Sequence, residues 1–322
     1  MSRSGLSSAG KRMAVYTELP DAELASFLAA YDLGSLEQIT GICAGTENSN
    51  FFLDTQGGRF VLTIFERLPR ESIPYYLHVT EWLSQHGIPC PAPVHSRAGE
   101  ILGTLCGKPA AIVQRLAGQS IEGRVPNEAE ISALGQLLAR MHLAGRGFPE
   151  EHPNPAGLGW CQETGRRLFP KLSPAERELL ADERETQKQW PRDKLPGGVI
   201  HADLFPDNVL FQGNTITGTI DYYYAGDDAW LYDLAIVANA WCSFPDGSLD
   251  KNLAAILWQA YESVRPFERR EHGLWFPYMR AAALRFWLLR LEAKHFPRGG
   301  QLTELRDPEE YQRILERRRE FC

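Results

Sequence analysis

The segment Val199–Phe211, VIHADLFPDNVLF, decides the fold. Two apolar pieces flank a short connection that carries His201, Asp203, Asp207 and Asn208. Connections between strands are usually built from Gly, Asn or Ser turns. Two acids, an amide and an imidazole in one connection therefore indicate a chemical role for this stretch.

A β-hairpin is predicted directly after this connection. The runs 209–211 and 215–220 are strand-like, and Gly213-Asn214 between them is a hairpin turn signal. Asn208 leads into the first strand and Asp221 leaves the second, so antiparallel pairing brings both to one end of the ribbon. Together with Asp203 they form a set of oxygen ligands only, which Mg²⁺ prefers.

The spacing of these residues matches the catalytic segment of kinases. His201-x-Asp203 is followed after four residues by Asn208, and Asp221 comes thirteen residues later. Phosphoryl transfer needs a metal to hold the phosphates and a carboxylate to orient the attacking oxygen. The alternative interpretation is a polar loop closed by Asx turns.

Composition limits the classes of function. The chain has 322 residues, 43% of them apolar, six cysteines without a CxxC pair, and a net charge of −7. Its length favours two lobes. We expect a cytoplasmic protein with free thiols and no nucleic-acid or membrane partner, because it lacks long apolar runs, a secretory pattern and any basic cluster besides RILERRRE near its end. Residues 1–12 are expected to be a disordered extension or tag.

The first part of the chain is predicted to be rich in β-strands. A helix over Asp21–Tyr31 precedes three antiparallel strands, a helix that ends at Gly87, and more short strands. The expected strands are Leu36–Ile42, Ser49–Leu53, Phe60–Phe65, about 93–105, and Ala110–Gln114. Residues 55–58, Thr-Gln-Gly-Gly, form the predicted hairpin turn.

The second part is predicted to be helical. Capping boxes at Asn127/Glu130 and Ser173/Glu176 start two helices. Further helices are expected at about 228–243, 250–263 and 272–294, with Val199–Asp221 as a β insertion. The predicted fold class is α+β, with a β-rich lobe over 13–115 and a helical lobe over 116–322.

The stretches HADLFPDNVLF, GTIDYYYAG and YDLA resemble the aminoglycoside phosphotransferase and choline kinase family. The likeness extends over about 36–295 and implies a bilobal protein-kinase-like fold that uses ATP and Mg²⁺. It implies that Asp203 is the catalytic base, that Asn208 and Asp221 hold the metal, and that His201 supports the loop.

Within that family, AGTENSNFFLDT, FVLTIFE and IDYYYAGDDAWLYDLAIVANAWC resemble bacterial homoserine kinases. This resemblance implies transfer of the ATP γ-phosphate to L-homoserine, and we expect the protein to be a monomer or a homodimer. Two alternatives stay open: another small-molecule kinase, for choline or an aminoglycoside, and a catalytically silent kinase-like binding protein.

A loop of small and amide residues between the first two strands is the predicted phosphate cover, although an ordinary polar hairpin loop has the same composition. The predicted nucleotide contacts are Gly45, Thr46, Asn48, Ser49, Asn50, Thr63, Gln114 and Leu116. Thr63 stands where the third strand should carry a phosphate-binding Lys. The candidates for a replacement cation are Arg59, Arg67, Lys108 and Arg115.

An acidic and aromatic segment after Asp221 is the predicted acceptor wall, since it suits a substrate with an ammonium group. Its predicted contacts are Asp227, Tyr232 and Trp241. Asp233 is expected to cap or brace a helix, and Asp207 to be a solvent-facing turn residue. Arg285, Arg290 and Lys294 either hold a carboxylate or form an exposed cationic helix face.

Overall fold

The computed structural model describes residues 17, 19–42, 48–190, 195–297 and 306–321. These residues form two compact units. The first contains the described residues up to Pro74 together with Pro93–Arg115, and the second contains those of Tyr75–Ala92, Leu116–Arg298 and Leu305–Cys322. The predicted extension, residues 1–12, lies outside the described residues.

An antiparallel sheet of five strands dominates the first unit, in the order β1-β2-β3-β5-β4. The strands are β1 Leu36–Gly41, β2 Asn48–Thr55, β3 Gly58–Phe65, β4 Gly103–Leu105 and β5 Lys108–Gln114. The predicted three-stranded meander is confirmed, with Thr55 opposite Gly58 across the hairpin turn. The prediction for 93–105 is wrong over most of its length. Pro93, which lacks the N–H that a ladder needs, makes only an isolated bridge, and a turn in which the Ser96 N–H donates to the Glu100 carbonyl occupies the stretch before β4.

Helix α1, Asp21–Leu28, packs on one face of this sheet. Phe27 of the helix shares a core with Leu53, Leu62 and Ile64. Side chains alternate along a strand, so the residues next to Leu53, Leu62 and Ile64 in β2 and β3 face the side of the sheet away from α1. That opposite side carries polar groups, including the facing pair Asn50 and Thr63.

Nine helices lie wholly or mainly in the described part of the second unit. They are α2 Ile73–Gln85, α3 Glu128–Gly145, α4 Leu158–Leu168, α5 Pro174–Lys188, α6 Trp230–Trp241, α7 Lys251–Glu262, α8 Arg269–His272, α9 Trp275–His295 and α10 Pro308–Arg319. Both predicted capping boxes are present, at Asn127 and Ser173. Gly87, with φ of 80°, follows α2 as expected. Helix α4 was not predicted.

Two small β elements complete the second unit. β7, Gly197–Ile200, pairs antiparallel with β10, Gly226–Ala229. β6, Gln119–Ser120, joins the predicted hairpin of β8, Val209–Gln212, and β9, Thr215–Thr219. The connection that carries His201, Asp203 and Asn208 therefore runs from β7 to β8.

Helix α9 forms much of the core of the second unit, where it packs against α4, α6 and α10. Within the described ranges, no helix has the length and apolar content needed to cross a bilayer. Among the described residues, Cys90, Cys106, Cys161 and Cys242 take part in no disulfide bond.

Candidate active site

The connection between β7 and β8 gathers the predicted catalytic residues. His201 follows β7 directly, and Asn208 ends a 3-10 turn that enters β8. The Ile220 N–H donates to the Asn208 carbonyl at 3.0 Å, and Nε2 of His201 lies 3.0 Å from the Ile220 carbonyl oxygen. Asp221 comes next in the chain. The structure therefore brings His201, Asn208 and Asp221 to the same end of the hairpin.

Asp203 is half-buried within this loop. Its backbone carbonyl accepts a hydrogen bond from Nδ2 of Asn208 at 2.8 Å, and its carboxylate oxygen Oδ2 lies 3.3 Å from the same nitrogen. Desolvation raises the pKa of Asp203 well above 3.8, and the charge of Asp221 raises it further, whereas Arg285 opposes both effects. Two carboxylates that repel each other in this way form a favourable site for a cation.

The donor set suits magnesium. Asn208 turns its amide nitrogen toward Asp203, which leaves its Oδ1 oxygen for another partner. Asp221 has φ of 66°, a strained conformation of the kind found at functional sites. No group of three or more His, Cys, Asp or Glu side chains that could hold a metal occurs in the described residues. Magnesium needs only one or two carboxylates when phosphates and water complete its shell.

Helix α6 holds the loop through Asp233, which is completely buried. The carboxylate of Asp233 accepts the N–H groups of His201 and Ala202, both at 2.8 Å. Arg285 from α9 donates to the Ala202 carbonyl. Ala202 has φ of 63°, so the strained residue is held at both of its backbone polar groups. The expected bracing role of Asp233 thus acts on the catalytic loop.

A buried histidine extends this brace. His142 of α3 places Nε2 3.1 Å from Asp233 and Nδ1 2.6 Å from the Tyr261 hydroxyl. Burial lowers the pKa of His142 and of His201 below 6.5. Burial alone would raise the pKa of Asp233, but His142 and the backbone donors outweigh it and hold that pKa below 3.8. The brace therefore consists of a carboxylate and a neutral imidazole.

These two histidines predict a loss of stability in mild acid. Their pKa values are lower in the folded chain than in the unfolded chain, so the unfolded chain binds more protons as the pH falls through 6.5. We expect the free energy of unfolding to fall from pH 7 to pH 5, by up to about 1.4 kcal/mol per pH unit for each histidine. Urea unfolding at several pH values measures this slope.

Two substitutions test whether the buried histidine His142 causes the pH dependence of the unfolding free energy. His142→Gln should make the slope shallower, whereas His86→Gln, at an exposed histidine, should leave it unchanged. Equal slopes in all three proteins would contradict the assignment.

The predicted nucleotide residues divide between the two faces of the first unit's sheet. Gly45 and Thr46 lie outside the described residues. Asn50 and Thr63 face the polar side together, and the Thr63 hydroxyl donates to Oδ1 of Asn50 at 2.8 Å. Asn48 shares that side by alternation and is buried. Ser49 points to the α1 side, where its hydroxyl donates to Glu66 at 2.6 Å.

The same alternation separates the candidate cations. Lys108 is ion-paired with Glu66 on the α1 side, away from Thr63. Arg59 and Arg115 share the face of Thr63, and both lie near Asp54. The Arg115 guanidinium also stacks on the Phe52 ring at 3.8 Å. Lys108 is therefore not placed to replace the missing lysine.

The two remaining nucleotide predictions lie at the end of β5 and just beyond it. Gln114 is exposed and pairs with Phe60 in the sheet. Leu116 belongs to the second unit, where it packs so closely on Gly218 that a Cβ there would lie 2.7 Å from its Cδ1.

The predicted acceptor residues do not gather around Asp203. Asp227 and Tyr232 line a cavity of about 350 Å³ beside Gly197 and Ala229. Gly197 and Ala229 pair with each other in the β7–β10 ribbon, at the end that lies opposite the catalytic loop. The Asp227 carboxylate accepts the His152 N–H at 2.7 Å.

Trp241 braces the catalytic loop. It is buried, and its indole N–H donates to the Leu204 carbonyl at 2.8 Å. This hydrogen bond uses the only polar atom of the side chain, so Trp241 has none left for a ligand.

The expectation of an exposed cationic face on α9 is wrong for two of its three residues. Arg285 and Arg290 are buried, because α9 is enclosed on most sides, while Lys294 is exposed. Arg290 donates to Glu310 at 2.7 Å.

Arg306 was not predicted as a neighbour of the catalytic loop. It forms an ion pair with Asp207, which is 29% exposed, so Asp207 is not the solvent-facing turn residue that was expected. Ninety-nine positions separate the two residues, and no local pattern points to such a contact.

Comparison with known proteins shows the family of the chain. A model of the phosphotransferase enzyme family matches residues 38–267. The chain is 44% identical to the homoserine kinase of Cupriavidus pinatubonensis, over 95% of this chain and 96% of that protein. It is 45% identical to the homoserine kinase of Methylobacterium radiotolerans, over 94% of this chain and 95% of that protein.

A solved structure shows a similar fold. The amicoumacin kinase in complex with AMP-PNP and Ca²⁺ has a TM-score of 0.70 and 17% identity, over 93% of this chain and 92% of that chain. The predicted α+β, protein-kinase-like fold is confirmed. The chain belongs to the phosphotransferase enzyme family and, within it, to the homoserine kinases.

Proposed function

We propose that the chain phosphorylates the hydroxyl of L-homoserine with ATP, giving O-phospho-L-homoserine and ADP. The observation that carries this proposal is the convergence of Asp203, Asn208 and Asp221 in a chain that belongs to the homoserine kinases. A bond forms between the hydroxyl oxygen and the γ-phosphorus. The bond from that phosphorus to the oxygen bridging to ADP breaks.

Asp203 receives the hydroxyl proton and orients the attacking oxygen. Asn208 and Asp221 would hold Mg²⁺, which supplies positive charge to the phosphate oxygens. His201 is a positioning residue, because its ring lies against the Ile220 carbonyl and its N–H binds Asp233. This arrangement ties the loop of the base to the segment that carries Asp221.

The nucleotide is proposed to bind the polar face of the first unit's sheet. Asn48, Asn50 and Thr63 supply amide and hydroxyl groups there, and Gly45 and Thr46 supply the preceding backbone. Gln114 and Leu116 offer backbone groups to adenine. Arg59 or Arg115 is proposed to replace the missing lysine, since both share the face of Thr63.

An assay of ADP release tests the function. The acceptors are L-homoserine, L-serine, choline and kanamycin, each with Mg²⁺ and ATP. We expect kcat/KM for homoserine to exceed that for choline and kanamycin, which lack the carboxylate, by at least about 100-fold, the scale set by a missing charged contact. It should exceed that for L-serine, which is one methylene shorter, by at least about 10-fold. Turnover of choline or kanamycin without turnover of homoserine would overturn the proposal. If no ADP is released with any of the four acceptors, the result would support a catalytically silent binding protein.

A further inference from the structure

Two arginines of the second unit lie close enough to Asp203 to change its charge balance, Arg285 and Arg306. Arg285 is completely buried and donates to the Ala202 carbonyl. A ligand cannot reach it without displacing the loop. Arg306 differs, since half of its side chain is exposed. Of these two cations, only Arg306 can meet a substrate from solution.

The catalytic loop itself holds Arg306. One terminal nitrogen, Nη2, binds the Asp207 carboxylate, and the guanidinium lies 5.6 Å from the centre of the Phe205 ring. Both partners belong to the four residues between Asp203 and Asn208. Among the described residues, its guanidinium makes no hydrogen bond besides the one to Asp207. Its other N–H groups are available to a ligand.

Charge keeps Arg306 ionised. Burial on its own lowers the pKa of Arg306, but the carboxylates of Asp207, Asp203 and Glu122 outweigh it and raise that pKa above its ordinary value. The guanidinium is thus a permanent cation beside the proposed base.

We propose that Arg306 binds the α-carboxylate of the amino-acid acceptor and that Asp207 positions it. This inference rests on the proposed function and names the group that recognises the substrate. A guanidinium binds a carboxylate through two parallel hydrogen bonds, which fixes orientation as well as charge. One amino nitrogen of Arg306 is committed to Asp207, and its remaining edge carries the donors for the substrate.

Electrostatics gives the reason for such a contact. Asp203, Asp221 and a triphosphate would together repel an acceptor that carries its own carboxylate. A cation held in the loop of the base offsets that repulsion at the place where the acceptor must lie. An amino alcohol without a carboxylate does not need this cation. Arg306 is therefore a specificity residue, which separates amino-acid acceptors from amino alcohols.

The test compares two acceptors that differ only in the carboxylate, L-homoserine and 3-amino-1-propanol. Arg306→Gln should lower kcat/KM for homoserine about 100-fold, mainly through KM, and change the value for aminopropanol less than threefold. KM for ATP should stay the same. Arg306→Lys should recover part of the loss. Arg313→Gln is the control, at a partly exposed arginine of α10 that pairs with Glu309.

A second readout does not depend on turnover of the poorer acceptor. L-2-aminobutyrate and n-propylamine, which lack the hydroxyl, serve as competitive inhibitors. Arg306→Gln should raise the inhibition constant of aminobutyrate about 100-fold and leave that of propylamine unchanged.

Two different failures can be told apart. If Arg306→Gln weakens the compounds that carry a carboxylate and those that lack it by the same factor, Arg306 does not recognise the carboxylate. Its role is then structural. Wild-type protein that does not phosphorylate homoserine would instead overturn the proposed function.

Discussion

Asp203→Asn is expected to lower kcat for homoserine phosphorylation about 1,000-fold, within the range for loss of a positioned general base. The amide has nearly the same size as the carboxylate and can keep its contact with Nδ2 of Asn208 through its oxygen. It cannot accept the hydroxyl proton. Affinity for ATP should change little, because Asn208 and Asp221 remain. Steady-state kinetics and calorimetric titration of Mg²⁺-ATP measure the two quantities.

The matched control is Asp182→Asn, which removes the same charge from an exposed residue of α5 that pairs with Arg319. It should leave kcat unchanged. If Asp203→Asn retains near-normal turnover, then Asp203 is not the base and substrate positioning accounts for the catalysis. A loss of ATP affinity as large as the loss of kcat would show instead that the substitution disturbs the metal site.

The core of this site could be predicted because it is local in the sequence. His201, Asp203 and Asn208 lie within eight positions, and one short hairpin connects them to Asp221. Hairpin geometry follows from a glycine-containing turn and two strand-like runs, so spacing alone predicts which side chains meet. The capping boxes of α3 and α5 were predictable for the same reason.

Contacts between distant segments could not be predicted in this way. Arg306 meets Asp207 because the chain after α9 returns to the catalytic loop, and no periodicity records that return. Arg285 belongs to a helix whose charged residues suggest an exposed face, yet tertiary packing encloses it. Trp241 has the composition of a substrate wall, but its indole N–H is committed to the Leu204 carbonyl.

The alternation of side chains along a strand predicts which candidate cations share a sheet face with Thr63. Once β3 and β5 are placed, Lys108 and Thr63 fall on opposite faces of the sheet, which removes Lys108 from the candidate cations. The sequence therefore held more about the nucleotide face than composition and spacing alone had indicated.

Asp233→Ala is expected to lower the free energy of unfolding by about 4 kcal/mol, the scale for removing one partner of a buried charged network. The N–H groups of His201 and Ala202 lose their acceptor in a buried place, and His142 loses its partner. Ala202 can then relax from its strained φ of 63°, so kcat should fall as well. Urea unfolding at pH 7.5 measures the stability.

Asp250→Ala is the matched control, since Asp250 also accepts two backbone N–H groups, at the N-terminus of α7. It should cost only about 1 kcal/mol, because water can satisfy the donors exposed there. Asp233→Asn, which keeps one oxygen, provides a milder variant if the alanine protein does not accumulate. Similar losses at Asp233 and Asp250 would contradict the idea that burial makes the brace important.

The two aspartates of the site should respond to loss of charge in opposite ways. Burial and Asp221 disfavour the carboxylate of Asp203, as its raised pKa indicates, so Asp203→Asn should raise the free energy of unfolding without Mg²⁺. His142 and the backbone donors favour the carboxylate of Asp233, as its lowered pKa indicates, so Asp233→Asn should reduce that energy. A catalytic carboxylate destabilises the folded chain, whereas a bracing carboxylate stabilises it. Unfolding measurements on this pair of variants therefore distinguish the two roles without an activity assay.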